Sequence, residues 1–214
     1  LWFDRFFYFA KIFFKYVIIC CHSPILFFMK TYFETPVEIR QQIWKELGRA
    51  SQDRHHAWRT PVLATATADG FVSARTVVLR RVDAVAGNLE IYTDRRSEKV
   101  ADLTHQPRAQ FVFWSERLHW QLRVTVTASV ATDGPYVQKL WQSVKQSPAA
   151  RDYLGTQAPG ALLDADQATA AILSDETHFA VVCATVIEMD WLELARGNHR
   201  RAKLTGETWA WLKP

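Results

Sequence analysis

The chain has few of the residues that build disulfide frameworks or metal sites. Its 214 residues include three cysteines, Cys20, Cys21 and Cys183. An odd count gives no disulfide framework, their spacing matches no metal site, and a reducing compartment, the cytoplasm, is the expected setting. His55-His56 reads as a polar pair ahead of the first strand rather than as metal ligands, so no metal is expected. The motifs G-x-G-x-x-G and the P-loop are absent, which removes the glycine-rich routes to a dinucleotide or a triphosphate. H-E-x-x-H and G-x-S-x-G are absent too, leaving a metalloprotease or serine hydrolase without support. No long apolar run is present. The Phe-rich stretch Leu1 to Phe28 is uncharged only from Tyr16 onward to Met29. That is short of the about 20 residues that cross a bilayer, Pro24 interrupts it, and no A-x-A-like cleavage site follows. Residues 1–28 are therefore expected to be an upstream extension of the reading frame or a hydrophobic leader, with a membrane anchor as the alternative. Residues 29–214 are expected to form one domain with no membrane partner. Internal repeats and low-complexity linkers are also missing.

What is present fits an ordinary globular domain, with 49% hydrophobic and 22% charged residues. A net charge of +4 and a pI near 9.0 favour an anionic ligand. They fall short of the clustered basic face that nucleic acid requires. Nine tryptophans are a heavy aromatic load, usable in a core, an interface or a pocket for a flat ligand.

Thr35-Pro36-Val37-Glu38 reads as a helix start with a capping box. Ile39, Ile43, Trp44 and Leu47 form its apolar face, and Gly48 is the expected stop. From Pro61 the period changes to that of strands: 62–67, 72–82 and 89–93, separated by the turn signals Asp69-Gly70 and Gly87-Asn88. Ser97 is expected to cap a short helix carrying Val100 and Leu103 and ended by Pro107. Strands at 109–114 and 118–131 follow, then helices at 133–144 and 164–173, and strands at 179–191, 200–204 and 208–212. Short connections between successive strands predict a mainly β fold, an antiparallel β-barrel with peripheral helices, because a parallel sheet needs longer crossovers.

Arg75-Thr-Val-Val-Leu-Arg80, Tyr92-Thr93, Ser97-Glu-Lys99 and Trp120-Gln121 carry the chemistry. A phosphate monoester needs charge-assisted donors from several directions, and a helix N-terminus adds backbone N–H groups. The alternative is that the strand arginines are solvated or pair with Asp83, Glu90 and Asp94. Residues five apart on a regular strand face opposite sides. Arg75 and Arg80 can thus serve one ligand only across a twist or a bulge, or by touching different parts of it. Gln121 and Arg123 share one face of their strand, with Trp120 and Leu122 on the other. A strand glutamine offers both donor and acceptor to a ring edge bearing imide groups.

At these residues the chain resembles the pyridoxine (pyridoxamine) 5′-phosphate oxidase family, the FMN-binding split β-barrels. The likeness covers residues 36–214 and rests on R-T-V-V-L-R, I-Y-T-D-R-R-S-E-K, W-S-E-R-L-H-W-Q and a C-terminal Trp and Arg. It implies a homodimer with FMN at the subunit interface, held by both chains. It also implies that Arg75, Thr76, Val77, Val78 and Arg80 line the FMN site and that Tyr92 and Thr93 lie along the flavin and its phosphate tail. Lys99 would bind phosphate beside Ser97, Gln121 would meet the ring, and Gln157 resembles a second glutamine of the site. Trp191 and Arg201 would approach FMN from the other chain. Arg80 replaces the usual lysine, and Glu98 occupies a position that is commonly basic. The family's R-x-H segment appears here as Gly197-Asn198-His199. The later helix's usual Tyr, Arg and Ser have no clear equivalents here; Trp141 and Lys145 are the nearest aromatic and basic residues.

The expected activity is an FMN-dependent oxidoreductase that passes a hydride from a small-molecule substrate to flavin N5, with His199 as a candidate substrate contact. The substrate need not be pyridoxamine phosphate. The alternatives are a non-catalytic FMN-binding or redox-buffering protein and, further off, a barrel that binds nucleic acid or another anion.

Overall fold

Helix α1 (Pro36–Gln52) opens with the expected capping box: the Glu38 N–H donates to Thr35 Oγ1 and the Thr35 N–H donates to the Glu38 carboxylate. The computed structural model describes residues 35–162, 173–174 and 176–214. Ile39, Ile43 and Leu47 are fully buried, as their spacing requires. Gly48 does not end the helix. Ala50, also fully buried, continues the apolar face, and the helix closes where the Asp53 N–H donates to the Arg49 carbonyl.

The strands are β1 (Val62–Ala66), β2 (Val72–Thr76), β3 (Leu79–Asp83), β4 (Asn88–Asp94), β5 (Arg108–Ser115), β6 (Trp120–Ala131), β7 (Phe179–Glu193), β8 (Arg200–Thr205) and β9 (Thr208–Leu212). Helix α2 (Glu98–His105) lies between β4 and β5, and α3 (Gly134–Lys145) follows β6. Two 3-10 turns, Ala57–Arg59 and Pro148–Tyr153, were not expected from the sequence, because such short segments carry no period. The helix expected at 164–173 lies outside the described residues except for Leu173, which forms an isolated bridge with Gly155. The boundary expected at residue 28 lies outside them as well.

The strand predicted over 72–82 is two strands. The Val77 N–H still donates in the β1–β2 register, to the Pro61 carbonyl at 2.9 Å, with the Val77 side chain buried, and from Leu79 the chain pairs with β4 instead. This break organises the molecule. Every strand pairing is antiparallel, and the sheet runs β2-β1-β5-β6-β7-β4-β3. Its two ends, β2 and β3, are consecutive in the chain and joined only through Val77-Val78, so the sheet must curl until its edges meet, as the predicted barrel does. The register of β3 also shifts between Leu79 and Arg81. Strand β7 pairs with β6 along one edge, and on its other edge with β4 first and β8 later. Trp58, Phe111, Phe113, Trp120 and Trp191 fill the interior under α1. A second apolar cluster, including Leu140, Tyr153 and Phe179, lies between α3 and β7. Among the described residues, no helix is long and apolar enough to cross a membrane.

Candidate functional site

The end of β2, the end of β4 and the start of α2 bring four of the sequence-predicted residues together. Arg75 lies opposite Leu63 on β1, so it shares the inward face of that strand. Its guanidinium donates to Thr65 Oγ1 and to Ser73 Oγ, each at 2.6 Å, and pairs with Asp102 of α2 at 3.3 Å. Lys99, in the first turn of α2, donates from Nζ to Thr93 Oγ1 at 3.1 Å. Thr93 Oγ1 is in turn 3.1 Å from Ser97 Oγ. Burial, and then the Arg75 charge, hold the Lys99 ammonium below the usual lysine range. Two cations that disfavour one another beside two hydroxyls are a donor set suited to a phosphate dianion. Ser97 occupies the N-cap of α2, yet its hydroxyl makes no cap bond and donates instead to the Asp94 carbonyl at 2.8 Å. The first N–H groups of the helix are therefore not taken by that side chain, and they suit an incoming oxyanion. Glu98 is exposed at the same helix start.

Arg80 stands across the Val77-Val78 break from Arg75. Its Cζ lies 5.7 Å from the centroid of the Tyr92 ring, and its Nε is buried without a partner. Thr76 is exposed and Val78 half-buried between the two arginines. Arg81 behaves as the alternative reading anticipated, pairing with Glu90 at 3.5 Å. Arg75 does not: its acid is Asp102, far away in sequence.

Gln157 comes near this group through a residue the sequence reading did not single out. Arg96 grips the Asp94 carboxylate with Nε at 3.1 Å and Nη2 at 2.7 Å. The same guanidinium donates to the carbonyls of Gly155 at 2.8 Å, Thr156 at 3.1 Å and Gln157 at 3.1 Å. One side chain thus fastens the 155–157 segment to the turn that leads into α2. Two other unpredicted residues belong to the Arg80 side. The Arg80 charge opposes the burial that raises the Tyr153 pKa and adds to the burial that lowers that of Arg59.

Gln121 and Arg201 lie elsewhere in this chain, on the sheet's outer face. Trp114, Gln121, Leu192 and Arg201 stand directly opposite one another across β5, β6, β7 and β8. In the next row Arg123 and Arg201 both bind Asp190, whose carboxylate they hold below its usual range against the opposing effect of burial. Trp114 is 46% exposed on this face. Trp120 and Leu122 point the other way, into the core, as predicted. Trp191 does not join Arg201. It faces the core, fully buried, with its ring edge-on to Trp120 at 5.2 Å, and the cation over it is Arg200 at 5.3 Å. His199 is exposed in the β7–β8 connection. Trp141 packs on Phe179 at 5.6 Å. Among the described residues no His, Cys, Asp or Glu cluster could hold a metal ion.

Residues 41–132 match the family described as pyridoxamine 5′-phosphate oxidase, FMN-binding domain. A pyridoxine/pyridoxamine 5′-phosphate oxidase of Kineococcus radiotolerans is 44% identical over 66 residues, 31% of this chain and 28% of the relative. The matched stretch therefore spans under a third of that relative's length. Among solved structures, a pyridoxamine 5′-phosphate oxidase-related, FMN binding protein from Nostoc punctiforme PCC 73102 superposes with a TM-score of 0.64 at 23% identity. It covers 86% of this chain and 100% of its own. PhzG from Burkholderia lata 383, in complex with tetrahydrophenazine-1-carboxylic acid, gives a TM-score of 0.63 at 21% identity and covers 90% of this chain and 99% of its own. At these identities the likeness to the two structures is one of fold.

Proposed function

We propose, from the match of residues 41–132 to the pyridoxamine 5′-phosphate oxidase FMN-binding family, an FMN-dependent oxidoreductase acting on a small substrate. The observation that carries this reading is the convergence of Arg75, Thr93, Ser97 and Lys99 at the start of α2. That set fits the phosphate end of FMN in charge, in hydroxyl donors and in its place at a helix N-terminus. When bound, FMN would supply hydride acceptance at its N5. In this reading Arg75 and Lys99 hold the phosphate, while Thr76 to Val78, Arg80 and Tyr92 line the path to the ring. Arg96 keeps Gln157 beside them.

Gln121 and Arg201 are proposed to meet the flavin of a second copy in a cytoplasmic homodimer. Their place on an outer face with the half-exposed Trp114 supports that assignment. Trp191 would then act by anchoring β7 beneath that face. His199 is proposed as a substrate contact.

Purified protein titrated with FMN should turn yellow, with absorbance near about 450 nm, a property of the cofactor. Protein that stays colourless would reject the flavin reading. A non-catalytic flavoprotein is the second reading, motivated by Gly197 where the family has an arginine. Pyridoxamine phosphate added without oxygen separates the two for that substrate: bleaching shows turnover, and a persistent yellow colour rejects it as the substrate.

A further inference from the structure

Three side chains hold the Arg75 guanidinium from behind. Strands β1 and β2 pair with Thr65 opposite Ser73 and Leu63 opposite Arg75, so Thr65, Ser73 and Arg75 share one face. Asp102 reaches this face from α2, where it lies three residues after Lys99 and so on the same side of the helix. An arginine only donates, so Thr65 Oγ1 accepts from Arg75 Nη1 at 2.6 Å and gives its own proton to Asp102 Oδ2 at 2.6 Å. The same Oδ2 accepts from Arg75 Nη2 at 3.3 Å, which closes a ring of Arg75, Thr65 and Asp102. Ser73 Oγ takes a second Nη2–H at 2.6 Å, and the Leu63 carbonyl lies 3.5 Å from Nη1. The Nη donors are thus engaged within the chain, and the Nε–H is left for a ligand. Thr65 is 3% exposed and Asp102 7%, so bulk water does not compete for the relay between them.

Asp102 has two opposed effects on a phosphate bound here. Its charge repels the phosphate and offsets the charge of Arg75. Its acceptor oxygen fixes where Arg75 points, so that less side-chain freedom is lost when a ligand arrives. It also helps two cations to stand together. Burial, and then Arg75, lower the Lys99 pKa, and Asp94, Glu98 and Asp102 oppose them.

We propose that Asp102, acting through Thr65, is a positioning residue that makes the cofactor site select a phosphorylated flavin over an unphosphorylated one, its alignment of Arg75 outweighing the repulsion from its charge. The selection rests on the flavin reading, whereas the fixing of Arg75 is a property of the protein alone.

FMN and riboflavin, titrated by flavin fluorescence, test the selection. NMR of the Arg75 guanidinium N–H groups in flavin-free protein, assigned by their absence in Arg75→Ala, tests the fixing. Asp102→Ala should weaken FMN binding about 10-fold, as for one lost charge-assisted bond, leave riboflavin binding unchanged, and merge the resolved Nη–H signals as the fork rotates. Asp102→Asn removes the charge but keeps an acceptor oxygen, and it should recover most of the FMN affinity. Repulsion alone predicts the reverse, tighter FMN binding in both variants. Adding Asp102→Ala to Arg75→Ala should weaken FMN binding no further. If Asp102→Ala fails to fold, Thr65→Val breaks the relay in its place, and Thr65→Ser should restore it. The proposal is overturned if FMN binds the relay-breaking variants as tightly as the wild type or more so, if riboflavin weakens in step with FMN, or if the Nη–H signals stay resolved. Wild-type protein that binds neither flavin, with the Arg75 signals still merging in Asp102→Ala, would reject the flavin reading and leave the fixing of Arg75 standing.

Discussion

Arg75 and Lys99 present the same charge with different freedom. The Arg75 fork is held by Thr65, Ser73 and Asp102, so its orientation is settled before any ligand arrives. Lys99 has one bond, to Thr93, and two further N–H donors to offer. Each charge-assisted bond to a phosphate contributes about 1.5–3 kcal/mol. Arg75→Ala and Lys99→Ala should therefore each weaken FMN binding by about that amount in a fluorescence titration. Arg75→Lys should fail to restore it, since an ammonium cannot satisfy three differently placed acceptors through a planar fork. Unchanged affinity in either alanine variant would remove that residue from the phosphate site. Thr93, Ser97 and Lys99 were legible in the sequence because they fall within one strand-to-helix turn. Asp102, which orients Arg75 from 27 positions away, was not.

At the scale of elements, the strong hairpin signals and the α1 capping box survive intact, since each depends on neighbouring residues. The break in the predicted strand 72–82 does not show in composition, because Val77 and Val78 are both good strand formers. It is set by a change of partner: Val77 still bonds Pro61 in the β1–β2 register, whereas Leu79 pairs with Ile91 of β4. Side-chain alternation allowed Arg75 and Arg80 to share a ligand only across a twist or a bulge, or by touching different parts of it, and the register of β3 does shift between Leu79 and Arg81. The 155–157 segment offers a test at this scale. It has no regular structure beyond the Gly155 bridge, and the Arg96 guanidinium supplies three of its contacts. Arg96→Ala should raise hydrogen exchange in residues 154–158 while leaving the β4 amides protected. It also removes the guanidinium from the buried Asp94 carboxylate, which keeps only the backbone N–H of residue 96, and this should cost about 1–3 kcal/mol of global stability. Unchanged exchange would mean that other contacts hold the segment.

For the molecule as a whole, closing a sheet whose ends are joined by two residues leaves α1 to cover the interior, and one carboxylate fastens it there. Glu46 of α1 is 1% exposed and accepts from Gln42 at 2.8 Å, Arg49 at 3.2 Å and Arg117 of the β5–β6 turn at 2.8 Å. His56 Nδ1 accepts the Trp58 N–H, so the ring's proton sits on Nε2 and is donated to Glu46 at 2.8 Å. Burial alone would raise the Glu46 pKa, but the His56 bond and the two arginines outweigh it and hold the carboxyl below its ordinary value of 4.5. A depressed carboxylate adds stability above its unfolded pKa and loses it as pH falls through the folded value. Asp190, held low by Arg123 and Arg201, acts in the same direction. Urea midpoints should therefore be flat from neutrality down to about pH 5 and fall steeply below it. Glu46→Gln should lower stability at pH 7 by about 2–3 kcal/mol and flatten the acid slope. Arg117 and Arg49 can turn to water, whereas the buried His56 Nε2–H keeps an acceptor only in the amide oxygen. A variant with the wild-type slope below pH 4.5 would show that Glu46 does not carry the acid sensitivity, leaving Asp190 as the group to test by Asp190→Asn.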